Sequence, residues 1–228
     1  MNFKTRKVDL HIIDALESTS AISGRSEALA IRYRLRDTPI SIVSHYAWDR
    51  RTLDSAINSV SLYRREYVNP RKFLPIVHIA CHGNPDGLMI GDDQPIPWSS
   101  LLQALLPLQR KLDYTLPISL SSCHGYYGYR VALQGMEEYE KRRPYYALIG
   151  PKARLSTEEL ISSFSSLYRG LLAEYRGLPA SVDLANTHIK KTEAYMDYTY
   201  GTDVSQKFSA HGVDDAKLFS KPPRKSLC

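Results

Sequence analysis

Residues 74–83, LPIVHIACHG, have a close counterpart later in the chain, LPISLSSCHG at residues 116–125. Each segment opens with Leu-Pro, continues through an apolar run rich in Ile, Val or Leu, and ends in Cys-His-Gly. The apolar runs have the length and composition of buried strands. The sequence therefore predicts two Cys-His pairs, each at the carboxyl end of a strand.

On both sides of these segments, predicted strands and helices alternate. Strands are predicted at residues 8–15, 39–47, 76–80, 118–122 and 145–149. Helices are predicted at residues 26–37, 50–67, 99–107, 129–140, 156–177 and 181–195. The apolar residues in 26–37 also alternate like a strand, but the helix formers there and the Thr38-Pro39 break favour a helix. This alternation predicts an α/β domain whose mainly parallel sheet is covered by helices on both faces. Consecutive elements are usually neighbours, so we expect the third and fourth strands to pair and their Cys-His-Gly ends to converge.

Individual residues indicate where some of the predicted helices begin and end. Asp49 can cap one helix, and Ser99 or Ser100 can cap the next, which we expect Pro107 to kink or end. Ser156 and Glu159 form a capping-box pattern at the start of the strongest apolar stripe. The apolar piece at residues 88–90 predicts a hairpin.

The alternation of strand and helix patterns ends near residue 200. We therefore predict one domain over residues 1–200. The tail at residues 201–228 is expected to be loosely ordered or dependent on a partner.

Composition narrows the class of protein. The chain has 228 residues, 43% of them hydrophobic, and no apolar run near the roughly 20 residues of a membrane span. Three cysteines do not make a disulfide framework, so we expect a reducing, cytoplasmic location. The net charge of +6 comes from small groups of Lys and Arg spread over the whole chain, which is typical of solvated helix faces and does not directly indicate nucleic acid.

The Cys-His-Gly ends supply the parts of a thiol active site. A histidine can take the proton of a cysteine, and glycines beside it offer open backbone amides. Two crosswise pairs are possible, His82 with Cys123 or Cys81 with His124. Strand alternation places Cys81 on the face opposite His82 and inside the packing, where a cysteine is inert. Cys123 follows two serines and leads into a Gly- and Tyr-rich turn, so we assign Cys123 as the nucleophile and His82 as the base.

Zinc is an alternative interpretation. The four residues 81, 82, 123 and 124 offer two sulfur and two nitrogen ligands. Adjacent residues at a strand end point to opposite faces, which disfavours their convergence, and we predict no metal and no cofactor.

The run IVHIACHGNPDGLMI followed by ISLSSCHG resembles the caspase-like cysteine peptidases, and among them the bacterial CHAT domains. The shared order is an apolar strand into His-Gly, a Gly-apolar hairpin, a Leu-rich helix, a strand into a small residue and Cys, and a strand through Ile-Gly into a further helix. The resemblance covers residues 74–185. It implies a caspase-like three-layer α/β/α sandwich.

Carried over by position, the resemblance implies that Cys123 is the nucleophile, that His82 is the general base, and that the amides of Gly83 and Cys123 form the oxyanion hole. Relatives that cleave after Lys or Arg often have Asp two residues before the Cys, where this chain has Ser121. Four residues are candidate substrate contacts: Asp92, Asp93, His124 and Tyr126.

The function expected from these residues is that of a cysteine endopeptidase acting on a protein substrate. The resemblance implies control by an activating or inhibitory protein partner, and in bacteria a link to regulated proteolysis and antiviral defence. A catalytically inactive interaction module with the same fold is the alternative.

Overall fold

The molecule is described by a computed structural model, which describes residues 7–15, 26–63, 73–91, 95–111, 116–129, 145, 147–173, 178–190 and 194–200. The six strands of the main sheet are β1 (Lys7–Asp14), β2 (Ser41–Tyr46), β3 (Phe73–Ala80), β7 (Pro117–Ser121), β8 (Ala147–Pro151) and β9 (Met196–Tyr200). They lie side by side in the order β2-β1-β3-β7-β8-β9. The first five run parallel, and β9 pairs antiparallel with β8.

Helices cover both faces of this sheet, as the alternation predicts. They are α1 (Glu27–Arg34), α2 (Arg50–Tyr63), α3 (Trp98–Lys111), α4 (Thr157–Tyr168) and α5 (Leu178–Asn186). One buried cluster joins α2 and α3 to the sheet through residues such as Ile57, Leu101 and Val77. A second cluster joins α1, α4 and α5 to the opposite face through residues such as Ile31, Phe164 and Ile12. The three-layer α/β/α prediction is therefore confirmed.

Two helix starts follow from their capping residues. The carboxylate of Asp49 accepts a hydrogen bond from the Thr52 amide at 2.6 Å before α2 begins. At α4, the Ser156 hydroxyl accepts from the Glu159 amide, and the Glu159 carboxylate accepts in return from the Ser156 amide. Both caps are confirmed.

A small second sheet follows the first Cys-His-Gly segment. Its antiparallel strands are β4 (His82–Asn84), β5 (Gly87–Met89) and β6 (Ile96–Pro97). The Asn84 side chain accepts from the amides of Asp86 and Gly87, which closes the turn between β4 and β5. The hairpin prediction is confirmed.

Several boundaries differ from the prediction, among them those of α3 and α5. Helix α3 begins at Trp98, so neither Ser99 nor Ser100 is its cap, and it continues through Pro107 to Lys111. Pro107 lies on the exposed face, where water can bond the carbonyl that the proline leaves free. Helix α5 ends at Asn186 rather than near residue 195, and β9 follows. The predicted helix at residues 129–140 lies outside the described residues except for Tyr129, which ends a 3₁₀ helix, and the tail lies outside them entirely.

In the part of the chain that the structure describes, no helix is both long and apolar enough to cross a membrane.

Candidate active site

The carboxyl ends of β3 and β7 lie side by side. Ala80 pairs with Ser121 in the parallel register, and the Cys81 amide extends the ladder by donating to the Ser121 carbonyl at 3.1 Å. The two Cys-His-Gly segments therefore leave the sheet at adjacent points, as the sequence predicts.

Beyond the strand ends, Gly83 lies against the second segment. A β-carbon built at Gly83 would lie 2.9 Å from Ser122 Oγ and 3.0 Å from the Cys123 carbonyl oxygen. Only glycine allows this approach without displacing the segment that carries Cys123. His82–Gly83 and Ser122–Cys123 are thus neighbours across the gap between the two strands.

The Cys123 thiol is half-buried, and its Sγ donates to the Leu155 carbonyl at 3.7 Å. Leu155 belongs to the segment between β8 and α4. This contact directs the S–H bond of Cys123 toward the segment that precedes α4. The chain continues from Cys123 into a single-turn 3₁₀ helix, Gly125–Tyr129.

The turn after Cys123 is tight because of the backbone conformation of His124. Its backbone φ is 59°, the one positive value at a non-glycine position among the described residues. The backbone amide of His124 donates to the Ala153 carbonyl at 3.3 Å, and ring Nδ1 lies 3.2 Å from the Lys152 carbonyl. These contacts tie the half-buried ring to the segment after β8. An energetically unfavourable backbone held in place directly after a candidate nucleophile is typical of a functional turn.

His82 lies at the start of β4, opposite Met89 in the hairpin, and is exposed. Its side chain is therefore accessible to solvent at the carboxyl edge of the sheet. Because β4 directly follows β3 and Cys81, the hairpin determines where this histidine stands relative to the second segment.

Cys81 has a different environment. It is partly buried and packs against the cluster formed with α2 and α3. Burial raises the pKa of the Cys81 thiol far above its usual range, and the Glu27 carboxylate and the nearby Cys123 thiol act in the same direction. A thiol held protonated is a poor nucleophile, which favours Cys123 over Cys81.

A buried hydrogen-bond network lies on the other face of the sheet. Glu27 Oε1 accepts from the Ser121 hydroxyl at 2.5 Å and from His78 Nε2 at 3.0 Å. The other ring nitrogen of His78 lies 2.6 Å from the Tyr168 hydroxyl. His78 and Tyr168 are fully buried, and Glu27 is 9% exposed. The network connects α1, β3 and α4 to the strand that ends two residues before Cys123.

Asp14, at the end of β1, lies beside this network and is fully buried. Its Oδ2 accepts from the Ser26 hydroxyl at 2.5 Å and from the Ala28 amide at 3.1 Å. Burial raises the pKa of the Asp14 carboxyl against the opposing effect of these two bonds, and the neighbouring Glu27 raises it further. Asp14 thereby fixes the start of α1, which carries Glu27.

Sequence reasoning did not single out Glu27, His78 or Tyr168. The helix at residues 26–37 was ambiguous with a strand, so nothing identified the first-turn glutamate as facing inward. Ser26 followed by two helix formers was the available signal of a capped start. The helix is confirmed over Glu27–Arg34, and the structure adds that the Ser26 hydroxyl caps it by accepting from the Leu29 amide.

The other predicted site residues are Asp92, Asp93 and Tyr126. Asp92 and Asp93 lie outside the described residues. Tyr126 is 5% exposed, with Lys152 Nζ 4.8 Å from its ring centroid, so it packs beneath Lys152. In the described part of the chain, no group of three or more His, Cys, Asp or Glu side chains is arranged to hold a metal ion.

Comparison with known proteins gives a fold but no close relative. No protein-family profile matches the sequence, and no curated protein does. Among solved structures, caspase-1 from Spodoptera frugiperda is similar with a TM-score of 0.55 and 9% sequence identity, over 86% of this chain and 87% of that one. The chain has a caspase-like fold.

Proposed function

We propose that this protein is a caspase-like cysteine endopeptidase with Cys123 as nucleophile and His82 as general base. The observation that carries the proposal is the juxtaposition of His82–Gly83 with Ser122–Cys123, at adjacent strand ends of a caspase-like sheet. The environment of Cys81, partly buried and with a raised thiol pKa, supports the choice of Cys123.

The proposed reaction begins when His82 takes the proton of Cys123. The sulfur then attacks the peptide carbonyl, and the oxyanion that forms is held by the amides of Gly83 and Cys123. His82 returns the proton to the leaving amine as the carbon–nitrogen bond breaks. Water, deprotonated by His82, attacks the thioester, and the thiol is released together with a carboxylic acid.

The contact between the Cys123 thiol and the Leu155 carbonyl supports a regulated enzyme. Binding of substrate or of a partner that moves the segment before α4 would release the thiol. We therefore propose a protein substrate and an activating or inhibitory protein partner. By resemblance to CHAT domains, the setting would be regulated proteolysis in the bacterial cytoplasm, including antiviral defence.

The test is labelling with a thiol-reactive peptide probe, followed by mass spectrometry to locate the modified cysteine. We expect labelling at Cys123 that is lost in Cys123→Ala, strongly slowed in His82→Ala and retained in Cys81→Ala. Labelling that survives Cys123→Ala and disappears in Cys81→Ala would overturn the assignment. A folded protein whose Cys123 reacts at the same rate with and without His82 would instead support an inactive interaction module.

A further inference from the structure

A separate concave site lies at the far end of α1 from Glu27, next to the residue that follows α4. It has a volume of about 230 Å³ and is lined by Tyr33, Arg34, Arg36, Asp37 and Arg169. None of these residues belongs to either Cys-His-Gly segment. Pockets for drug-sized ligands usually exceed about 300 Å³, so this one fits a small ligand or the head group of a larger one.

The lining is basic. Arg169 pairs with Asp37 and Arg34 pairs with Glu158 beside the pocket, so the positive charge of Arg36 is left over. Arg169 hydrogen-bonds both Asp37 oxygens at 2.9 Å and donates to the Arg34 carbonyl at 2.7 Å. The bonds from Arg169 hold the pKa of Asp37 below its usual value. Arg169 is therefore held in one orientation before any ligand arrives.

Arg36 is the lining cation that is open to a ligand. Its guanidinium carbon lies 4.0 Å from the centroid of the Tyr33 ring. Stacking uses the flat face of a guanidinium and leaves its in-plane N–H donors available. Within the described residues Arg36 forms no ion pair, whereas Arg34 pairs with Glu158. Arg36 can thus present two parallel donors to an anion.

Tyr33 adds an apolar surface. Its side chain is 67% exposed, although Arg36 stacks on one face of the ring. An exposed aromatic ring beside a cationic site can receive the flat organic part of a ligand while the arginines bind its charge.

We propose that this pocket binds a small phosphate monoester, with its phosphate on Arg36 and its organic group against Tyr33. A phosphate monoester is negatively charged at neutral pH, and the positive charge of Arg36 that no carboxylate of the lining neutralises attracts it. Guanidinium forks fit phosphate oxygens in pairs. The proposal does not depend on the peptidase activity.

Calorimetric titration of the full chain with inorganic phosphate and with phenyl phosphate, at constant ionic strength, tests it. We expect phenyl phosphate to bind more tightly than inorganic phosphate. In Arg36→Gln both affinities should fall roughly tenfold or more, because a charged hydrogen-bond partner is lost. In Tyr33→Ala the preference for phenyl phosphate should disappear while inorganic phosphate still binds.

Arg110→Gln is the matched control, since Arg110 is an exposed arginine in the last turn of α3. It removes the same charge away from the pocket and should leave both affinities unchanged. Equal weakening in Arg36→Gln and Arg110→Gln would show attraction by the overall charge alone and would overturn the site. Absence of binding of either compound to the wild-type chain at millimolar concentration would also overturn it.

Discussion

The Ser121 hydroxyl donates a 2.5 Å hydrogen bond to Glu27, which joins the first turn of α1 to the last residue of β7. Cys123 stands two residues beyond this bond. Because the same carboxylate oxygen accepts from His78, α1, β3 and β7 meet at one buried acceptor. The position of the Cys123 segment thus depends on a helix that is distant in sequence.

Replacing this acceptor should destabilise the fold. Glu27→Ala leaves the Ser121 hydroxyl and the His78 ring without their partner, and we expect a loss of about 2–4 kcal/mol in the free energy of unfolding. Urea unfolding measures it. The control is Glu158→Ala, whose side chain is 72% exposed and pairs with Arg34, and it should cost less than about 1 kcal/mol. Equal losses in the two variants would mean that the Glu27 network adds no stability.

The other end of the network gives a second prediction. Tyr168→Phe removes only the hydroxyl that bonds His78, and both residues are fully buried. We expect a loss of about 1–3 kcal/mol, because the ring nitrogen of His78 is left without a partner. Tyr46→Phe, at a side chain that is 47% exposed, is the control and should change the stability by less than about 0.5 kcal/mol. A Tyr168→Phe variant as stable as the wild type would show that water replaces the hydroxyl.

The five parallel strands of the main sheet were predictable because they are apolar runs of suitable length separated by helical patterns. The pairing of β3 with β7 followed from their order, and with it the meeting of the two Cys-His-Gly ends. The convergence of the two segments could therefore be predicted from strand order, without knowledge of side-chain contacts.

Other features depend on tertiary contacts. In the sequence Glu27 is an ordinary helix-forming residue. Only the folded structure shows that it is a buried hydrogen-bond acceptor for His78 and Ser121. The strand β9 was missed, although MDYTY is rich in β-formers, because its pairing with β8 at the sheet edge overrides the helical pattern before it. The positive φ of His124 has no sequence signal, since residues other than glycine seldom adopt it.

Gly83 should be essential for the geometry of the site rather than for folding. In Gly83→Ala the new methyl group would meet Ser122 Oγ and the Cys123 carbonyl, so the Cys123 segment must shift. We expect the peptide probe to label Cys123 at least tenfold more slowly, since small displacements of reacting groups cost large factors in rate. Adding Ser122→Gly removes one of the two contacts and should restore part of the rate. Unchanged labelling of Gly83→Ala would contradict this account of the site.

The backbone of His124 can be tested by a matched pair. His124→Gly and His124→Ala both lose the ring and its contact with the Lys152 carbonyl. Only glycine adopts a φ of 59° without a steric penalty. We therefore expect His124→Ala to be less stable than His124→Gly by about 1 kcal/mol in urea unfolding. The reverse order would indicate that the turn relaxes to negative φ when the ring is absent.

The stability of the fold should fall in acid because of His11. This residue is fully buried in β1, its Nδ1 lies 3.2 Å from His45 Nε2, and the Ser59 hydroxyl lies 3.1 Å from the other ring nitrogen of His45. Burial, and to a lesser extent His45, lower the pKa of His11 from 6.5 to about 3. Below pH 6.5 His11 is protonated in the unfolded chain but stays neutral in the folded chain. The stability that the neutral ring contributes is therefore complete above pH 6.5 and is lost as the pH falls toward 3.

Between pH 7 and pH 5 the free energy of unfolding should therefore fall by about 2 kcal/mol, which is about 1.4 kcal/mol for each pH unit below 6.5. Urea unfolding at the two pH values measures the fall for the wild type, and His11→Gln, which cannot titrate, should show a clearly smaller one. His188→Gln, which removes an exposed histidine, should keep the full wild-type fall. If His11→Gln and the wild type lose the same stability between pH 7 and pH 5, the buried ring takes up its proton without unfolding, and the acid sensitivity arises elsewhere.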